Sequence, residues 1–405
     1  MSSPADRDRP AVTRGDEPTV PSHLYVHVPL CAEKCSYCDF YSVAAASAPV
    51  SPSQVALGLL AQASAWLERG LAPRPLQTLY LGGGTPTILG PFLPGLVAGL
   101  GERFGLAPGA EVTVEANPDS LDDALAQALG EAGVTRVSVG VQSFDADELR
   151  LLGRLHDPTG ALAAAAAVRD AGLALAVDLM CGLPGQELRS WARTLALAIE
   201  SGAEHISVYP LSLEAGTPLA AAAVIGEIEE PDPDVAADLL LAAEQMLTDA
   251  GFHRYEIANY ARVGAESRHN TAYWTGREYL GVGPGAHGML DVATARAAGI
   301  VLPTGLPGAR VRYAVACDLQ AGLAAMPRID LDVVEARAAA REDVMLGLRL
   351  TRGVPTADVA AAGVTAALER LVPMGLVERA CDRWRLTRRG WLLANEVFGA
   401  VWAGE

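Results

Sequence analysis

The segment HLYVHVPLCAEKCSYC, residues 23–38, decides the fold of this chain. Its apolar first part predicts a β-strand that runs directly into a loop with the spacing CxxxCxxC, formed by Cys31, Cys35 and Cys38. Three thiolates can hold three irons of a [4Fe–4S] cluster and leave the fourth iron open, whereas a structural zinc requires a fourth protein ligand. The next cysteine is Cys181, far along the chain. A cluster is therefore the simplest interpretation, and a zinc loop is the alternative.

Length and composition predict a globular protein with two or three packed domains. The chain has 405 residues, of which 50% are hydrophobic, and this is enough for more than one core. The six cysteines do not form a disulfide framework, so we expect a reducing compartment and a cytoplasmic location. The formal net charge of −17 disfavours nucleic acid as a partner, because phosphates attract a basic surface.

The composition of the sequence predicts neither a secretory signal nor a membrane span. Residues 1–20 are rich in Pro, Asp, Arg and Ser, which predicts a disordered N-terminal tail. Charged residues such as Arg169, Asp170 and Asp178 interrupt the longest apolar stretches. We therefore expect no transmembrane segment, while peripheral contact with a membrane stays open.

Six short apolar runs alternate with Ala-rich helical stretches and predict parallel strands. After the first, they recur at the spacing of a βα unit, roughly 30 residues. Eight such units close a barrel, so six predict an incomplete (β/α)6 TIM-like barrel in the α/β class. The runs are residues 24–28, 78–81, 111–116, 136–141, 175–180 and 206–209.

Polar or glycine residues follow almost every predicted strand, at the edge where α/β barrels carry their chemistry. The glycine triplet at 82–84 lets a ligand approach the backbone closely, although a tight turn alone would also explain it. Arg154 can hold a carboxylate through two parallel hydrogen bonds, or form a surface salt bridge. Asp178 lies in an apolar strand end and requires a partner there. Glu115 is either a ligand-binding carboxylate or a helix cap.

The loop CAEKCSYC and the turn GGGTP resemble the radical S-adenosylmethionine (SAM) family, whose cluster binds the amino and carboxylate groups of SAM. The resemblance implies that three cysteines hold a [4Fe–4S] cluster and that the residues along the strand ends surround SAM. The predicted metal ligands are Cys31, Cys35 and Cys38. The residues predicted to bind SAM are Tyr25, Tyr37, Gly83, Gly84, Thr85, Glu115, Gln142, Arg154 and Asp178.

Longer segments resemble one subgroup of this family, the oxygen-independent coproporphyrinogen III oxidases and their relatives. The oxidases carry a fourth cysteine two residues beyond the third, whereas Asp39 and Phe40 follow Cys38 here. This departure and the motif HNTAYW at residues 269–274 resemble the haem chaperones of the subgroup instead. The segments shared with the whole subgroup are GVQSF at 140–144, DLMCGLPGQ at 178–186 and LSLEAGTP at 211–218.

The HNxxYW motif implies a haem site in such chaperones, which makes His269 the predicted haem ligand. A neutral imidazole is a good axial ligand, and Tyr273 and Trp274 offer aromatic faces for the macrocycle. The alternative is a histidine that ties a loop onto the barrel by hydrogen bonds. His287 could serve as a second ligand and His253 is a weaker option, and neither belongs to a motif with metal-ligand spacing.

The resemblance implies a protein that binds haem and delivers it to acceptor proteins, with an electron donor for its cluster. The main alternative is oxidative decarboxylation of coproporphyrinogen III by a radical from SAM. The missing fourth cysteine argues against that reaction. Modification of tRNA or of a protein is a third class, and the acidic charge disfavours the RNA substrate.

Beyond Arg312 the barrel periodicity stops and a smaller C-terminal domain is expected. An Ala-rich helical region is predicted from 330 to 350, followed by helices and a two-stranded wing, an order that resembles a winged helix. Five arginines between 379 and 389 suggest nucleic acid, but the acidic remainder favours a lid or docking domain. The predicted divisions are a tail at 1–20, a core barrel at 21–255, a connecting segment with the HNxxYW motif at 256–325 and a helical, winged-helix-like domain at 326–405.

Overall fold

The structure is a computed structural model and describes residues 21–71, 75–305 and 310–404. The tail predicted for residues 1–20 lies outside the described residues. Within the described ranges the chain forms one nine-stranded sheet, three smaller sheets and the helices that cover them.

Six parallel strands form the centre of the large sheet. Each strand pairs with the next one in sequence, so their order in the sheet is their order along the chain. All six predicted apolar runs lie within these strands. The strands are β1 (His23–Val28), β2 (Leu76–Gly83), β3 (Leu106–Ala116), β4 (Arg136–Gln142), β5 (Ala174–Cys181) and β6 (His205–Pro210).

Three short strands extend the sheet without closing it. β7 (His253–Arg254) and β8 (Asn259–Ala261) form an antiparallel pair, and β8 lies antiparallel to β6. At the opposite edge β9 (Leu280–Val282) runs parallel to β1. The barrel is therefore incomplete, as the six predicted units require.

Side chains along the first three strands alternate between a face that packs against the helices and a face that lines the barrel interior. Leu24 and Leu79 are fully buried beneath the helices. Their neighbours Tyr25, Thr78 and Tyr80 point to the other side, because successive side chains of a strand alternate. The barrel interior is consequently lined by polar and aromatic groups, while the helices cover its apolar exterior.

Helices follow the strands and pack on the outside of the barrel. Ser51 caps the first of them: its hydroxyl accepts from the Gln54 amide while the Gln54 side chain accepts from the Ser51 amide. The helices before the C-terminal unit are α1 (Pro52–Glu68), α2 (Leu93–Phe104), α3 (Asp123–Glu131), α4 (Ala146–Leu151), α5 (Pro158–Asp170), α6 (Leu188–Glu200), α7 (Pro218–Val224), α8 (Pro233–Asp249), α9 (Arg268–Trp274), α10 (Val292–Ala297) and α11 (Leu319–Gly322). In the described part of the chain, the short 3-10 helices are Ala45–Ser47, Pro86–Phe92 and Pro118–Ser120.

A three-stranded antiparallel sheet adds to the main core beside β9. It consists of β10 (His287–Asp291), β11 (Arg310–Val315) and β12 (Ile329–Val334). The helix predicted from residue 330 was wrong over its first five residues, which form part of β12. The alternation IDLDVV has the period of a strand and overrides the Ala-rich composition that follows it.

The C-terminal unit has a core of its own that extends from Val344 to Val401. Two short helices precede a hairpin, which is the predicted order of helices and wing. The elements are α12 (Ala336–Leu348), β13 (Val354–Pro355), α13 (Thr356–Ala361), α14 (Thr365–Leu371), β14 (Val377–Ala380), β15 (Arg383–Leu386), α15 (Arg388–Leu392) and α16 (Ala394–Ala403). The predicted domain boundaries stay predictions, and β11 pairs with β12 across the one at 325/326.

Candidate functional site

The cysteine loop leaves β1 at the carboxyl edge of the sheet and is held by main-chain contacts. Leu30–Cys31 forms a short strand that pairs with Val43–Ala44. Farther along the loop, the Ser36 amide donates to the Leu152 carbonyl at 3.2 Å and the Ser36 hydroxyl donates to the Leu151 carbonyl at 2.9 Å. The barrel therefore helps to hold the loop in position.

The three loop cysteines are free thiols, of which Cys31 is buried and Cys35 and Cys38 are partly exposed. The Thr85 hydroxyl donates to Cys31 Sγ at 3.6 Å, and Arg154 Nη1 donates to Cys35 Sγ at 3.3 Å. Such donors stabilise the thiolate, the form that binds iron. Among the described residues no three His, Cys, Asp or Glu side chains already surround one metal position. The donor set fits a cluster whose assembly draws the thiols together.

The other cysteines do not resemble cluster ligands. Cys181 lies at the end of β5, is fully buried in the main core, and burial raises its pKa to about 12. It therefore behaves as a packed apolar residue, as the sequence suggested. Cys317 and Cys381 are exposed.

A chain of hydrogen bonds joins two of the loop cysteines across the mouth of the barrel. Arg154 Nη2 donates to Asn117 Oδ1 at 2.7 Å, and Asn117 Nδ2 donates to the Thr85 hydroxyl at 3.0 Å. The connection therefore runs from Cys35 through Arg154, Asn117 and Thr85 to Cys31. Asn117 was not among the predicted site residues, although its position just after β3 was a signal for it.

The glycine triplet allows close packing against the site. A Cβ at Gly82 would lie 2.7 Å from Glu115 Oε2, and one at Gly84 would lie 3.0 Å from Cys31 Sγ. Gly83 adopts a φ of 108°, which side chains rarely permit. The sequence GGG is thus required here by two close approaches and one backbone conformation.

Glu115 reaches into the barrel mouth from β3. Its carboxylate accepts from the Tyr80 hydroxyl at 2.7 Å and from the Gly83 amide at 3.1 Å. Burial raises the pKa of Glu115 to about 7, and the nearby Asp178 adds to the rise, while the two hydrogen bonds oppose it. A cationic ligand group such as an ammonium would favour the ionised carboxylate at this position.

Asp178 lies across the same cavity on β5. Its Oδ2 accepts from the Ser138 hydroxyl at 3.0 Å, and burial raises its pKa against the hydrogen bonds from Ser207 and Ser138. The cavity between the two carboxylates has a volume of about 50 Å³ and extends down to His205 and Arg136 at the start of the strands. The two acids therefore line one polar cavity inside the barrel.

The remaining residues predicted to bind SAM lie at two different depths in the barrel. Gln142 adopts a φ of 65° at a bulge in β4, which places its amide near Asn117 and Arg154. Tyr37 packs partly buried beside the loop cysteines. Tyr25 lies deeper, where its hydroxyl bonds to His27 Nδ1 at 3.0 Å. The structure thus brings all the residues predicted to bind SAM, except Tyr25, to the mouth of the barrel. Their roles stay predictions.

His269 is located inside the barrel, at the start of α9. The side chain is buried, Nδ1 bonds to the Thr78 hydroxyl at 2.7 Å, and Nε2 bonds to the Tyr273 hydroxyl at 2.8 Å. Burial lowers the pKa of His269 to about 3, so the imidazole is neutral. Both ring nitrogens are therefore engaged, which is the arrangement of the alternative named above, a histidine that fastens its segment to the barrel.

One histidine of the seven is exposed. His287 lies at the start of β10, and its imidazole has no hydrogen-bond partner within the described ranges. The other six are each hydrogen-bonded in the structure: His23, His27, His156, His205, His253 and His269.

Comparison with known proteins places this geometry in a family. Residues 25–198 match the Radical SAM superfamily, and residues 334–393 match the HemN C-terminal domain. The chain is 38% identical to the haem chaperone HemW of Mycobacterium tuberculosis over 383 residues, which is 94% of each chain. The chain belongs to the HemW family. HemW of Escherichia coli is 33% identical over 388 residues, 93% of this chain and 97% of the relative.

The HemW family lies within the radical SAM proteins, so the resemblance drawn from the cysteine loop is confirmed. Membership implies a [4Fe–4S] cluster and SAM as cofactors, and the thiols, donors and close glycine approaches described above fit both. The coproporphyrinogen III oxidase HemN of Escherichia coli superposes with a TM-score of 0.75 at 22% identity, covering 96% of this chain and 91% of that one. This likeness confirms the predicted fold and extends no further.

Proposed function

We propose that this chain is a haem chaperone that binds haem beside a SAM-ligated cluster and delivers it to acceptor proteins. The observation that carries the proposal is the 38% identity to a curated haem chaperone over nearly the whole of both chains. The absence of a fourth cysteine after Cys38 supports it, since Asp39 and Phe40 occupy that part of the loop.

The proposal includes partners and a compartment. A cluster on three thiols requires an electron donor for reduction, and free thiols such as those of Cys31, Cys35 and Cys38 persist in a reducing compartment such as the cytoplasm. No helix in the described part of the chain is long and apolar enough to cross a membrane. Contact with a membrane surface during delivery is compatible with the proposal.

Three of the five arginines between 379 and 389 have partners within the chain, which supports docking rather than nucleic-acid binding. Arg383 donates to two main-chain carbonyls, Arg385 pairs with Glu378 and Arg388 pairs with Glu244 of α8. These guanidinium groups are engaged within the chain, and the last pair joins the unit to the barrel. We propose no nucleic-acid partner.

We propose that the haem ligand is an accessible histidine. The prediction that His269 binds the iron requires its bond to Tyr273 or to Thr78 to break and its ring to leave the core. We propose that His287 provides the imidazole instead, because it is exposed and needs no such rearrangement.

The test of the function compares haem binding with turnover in one sample. Anaerobically reconstituted protein is titrated with haem and followed by absorbance, and the same preparation is assayed for decarboxylation of coproporphyrinogen III with SAM and a reductant. Stoichiometric haem uptake without turnover supports the chaperone. Turnover without specific haem uptake would make the protein an oxidase and refute the proposal.

A further inference from the structure

Helix α9, which carries the HNxxYW motif, is fastened to the two strands that bear Glu115 and the glycine triplet. The amides of Arg268 and His269 each donate to the Glu111 carboxylate of β3 at 2.9 Å. Glu111 and Glu115 are four residues apart on this strand and so share its inward face. His269 Nδ1 bonds to Thr78 of β2 at 2.7 Å.

Tyr80 connects the His269 ring to the Glu115 carboxylate. The Tyr80 ring stacks on the imidazole with centroids 5.0 Å apart and an interplanar angle of 25°. Its other neighbour is Tyr25, whose ring stacks on it at 6.2 Å. The Tyr80 hydroxyl then donates to Glu115 Oε1 at 2.7 Å. The His269 and Tyr25 rings, whose centroids are 6.5 Å apart, both pack against Tyr80 and so restrict the movement of its hydroxyl.

We propose that His269 is a positioning residue of the SAM site, which fixes Tyr80 and through it the orientation and ionisation of Glu115. The HNxxYW motif then supports the binding of SAM. This inference depends on Glu115 binding SAM and is independent of whether the chain binds haem.

The groups that face Glu115 determine how its charge responds to substitution. Tyr25, Tyr80 and Tyr273 stay neutral, because burial raises the pKa of each hydroxyl well above its usual range. Asp178 opposes ionisation of Glu115, while the Tyr80 hydroxyl and the Gly83 amide favour it. Removal of the Tyr80 hydroxyl therefore raises the pKa of Glu115, so that a higher pH is needed to form the carboxylate.

The experiment measures SAM affinity by equilibrium dialysis on anaerobically reconstituted protein between pH 6 and pH 9. The variants are His269→Ala and Tyr80→Phe, with His253→Ala as the control. His253 is a part-exposed histidine bonded to Glu266, away from these contacts. We expect SAM affinity at pH 7 to fall roughly tenfold in both variants and to be unchanged in the control. The midpoint of the pH profile should also rise in Tyr80→Phe, which loss of folding alone would not produce.

Each alternative outcome decides the inference. Unchanged SAM affinity and pH profile in Tyr80→Phe would overturn it, even if His269→Ala failed to fold. Loss of haem uptake in His269→Ala with normal SAM affinity would overturn it in favour of the ligand role. If the wild type binds SAM but no haem, the proposed function fails while the variants still decide this inference.

Discussion

Glu115 is the residue whose charge should set the pH dependence of SAM binding. Its pKa is raised to about 7, and the ionised carboxylate is the stronger hydrogen-bond acceptor for the N–H groups of an amine. SAM affinity should therefore increase as the pH rises through about 7 and decrease below it. In Glu115→Gln we expect roughly tenfold weaker binding and loss of this dependence, measured by dialysis across the pH range.

Glu131→Gln is the control for that substitution, because Glu131 is exposed at the end of α3. Its SAM affinity and pH profile should match the wild type. A pH-independent affinity in the wild type would contradict the assignment of Glu115.

The positions of single residues were predictable where the residues belong to a recognisable sequence motif. Glu115 and Asp178 lie near the ends of predicted apolar runs, so their place close to the strand ends could be predicted from the sequence. Tyr80 and Asn117 were missed, because their roles depend on which neighbouring strand supplies the partner. His269 was recognised by its motif, but the sequence could not show that both of its nitrogens would be engaged.

At the scale of elements, the turn after β2 holds the cysteine loop in place. A Cβ at Gly84 would collide with the Leu30 carbonyl and approach Cys31 Sγ. Gly84→Ala should shift the loop, lower the iron and sulfide content after reconstitution, and reduce the free energy of unfolding by about 1–3 kcal/mol. The control is Gly95→Ala in α2, where a Cβ meets nothing and the helix should gain about 0.5–1 kcal/mol. Wild-type iron content in Gly84→Ala would refute this account of the turn.

The six barrel strands were predictable because their apolar runs are long and bounded by polar turns. β7, β8 and β9 were not predicted, since strands of two or three residues have no usable period. β12 was mistaken for the start of a helix because Ala-rich sequence follows it directly. Short elements thus depend on partners that the local sequence does not contain.

At the scale of the whole molecule, Trp391 joins the C-terminal unit to the barrel. Its indole donates to the Ile257 carbonyl at 2.8 Å, and the Arg254 guanidinium lies 4.1 Å from its ring centroid. Trp391→Ala should lower the free energy of unfolding by about 3–5 kcal/mol in urea and expose the unit to limited proteolysis. Trp402→Ala is the matched control, since that side chain is half exposed. Equal stability of the two variants would contradict a docking role for Trp391.

A second contact joins the C-terminal unit to the barrel through α9, the helix that carries the HNxxYW motif. Arg349, which follows α12, lies over the Trp274 ring at 4.1 Å and 3.8 Å from the buried Glu256 carboxylate. One face of α9 thus meets the barrel interior and its end meets the C-terminal unit. The sequence could not predict this, because residues far apart in the chain supply the partners.

The most direct test of the central claim is a haem titration of anaerobically reconstituted wild type, His287→Ala and His269→Ala, followed by absorbance. We predict stoichiometric uptake by the wild type, weakened binding with a shifted haem absorbance band in His287→Ala, and retained binding in His269→Ala. Failure of the wild type to bind haem would contradict the chaperone function itself.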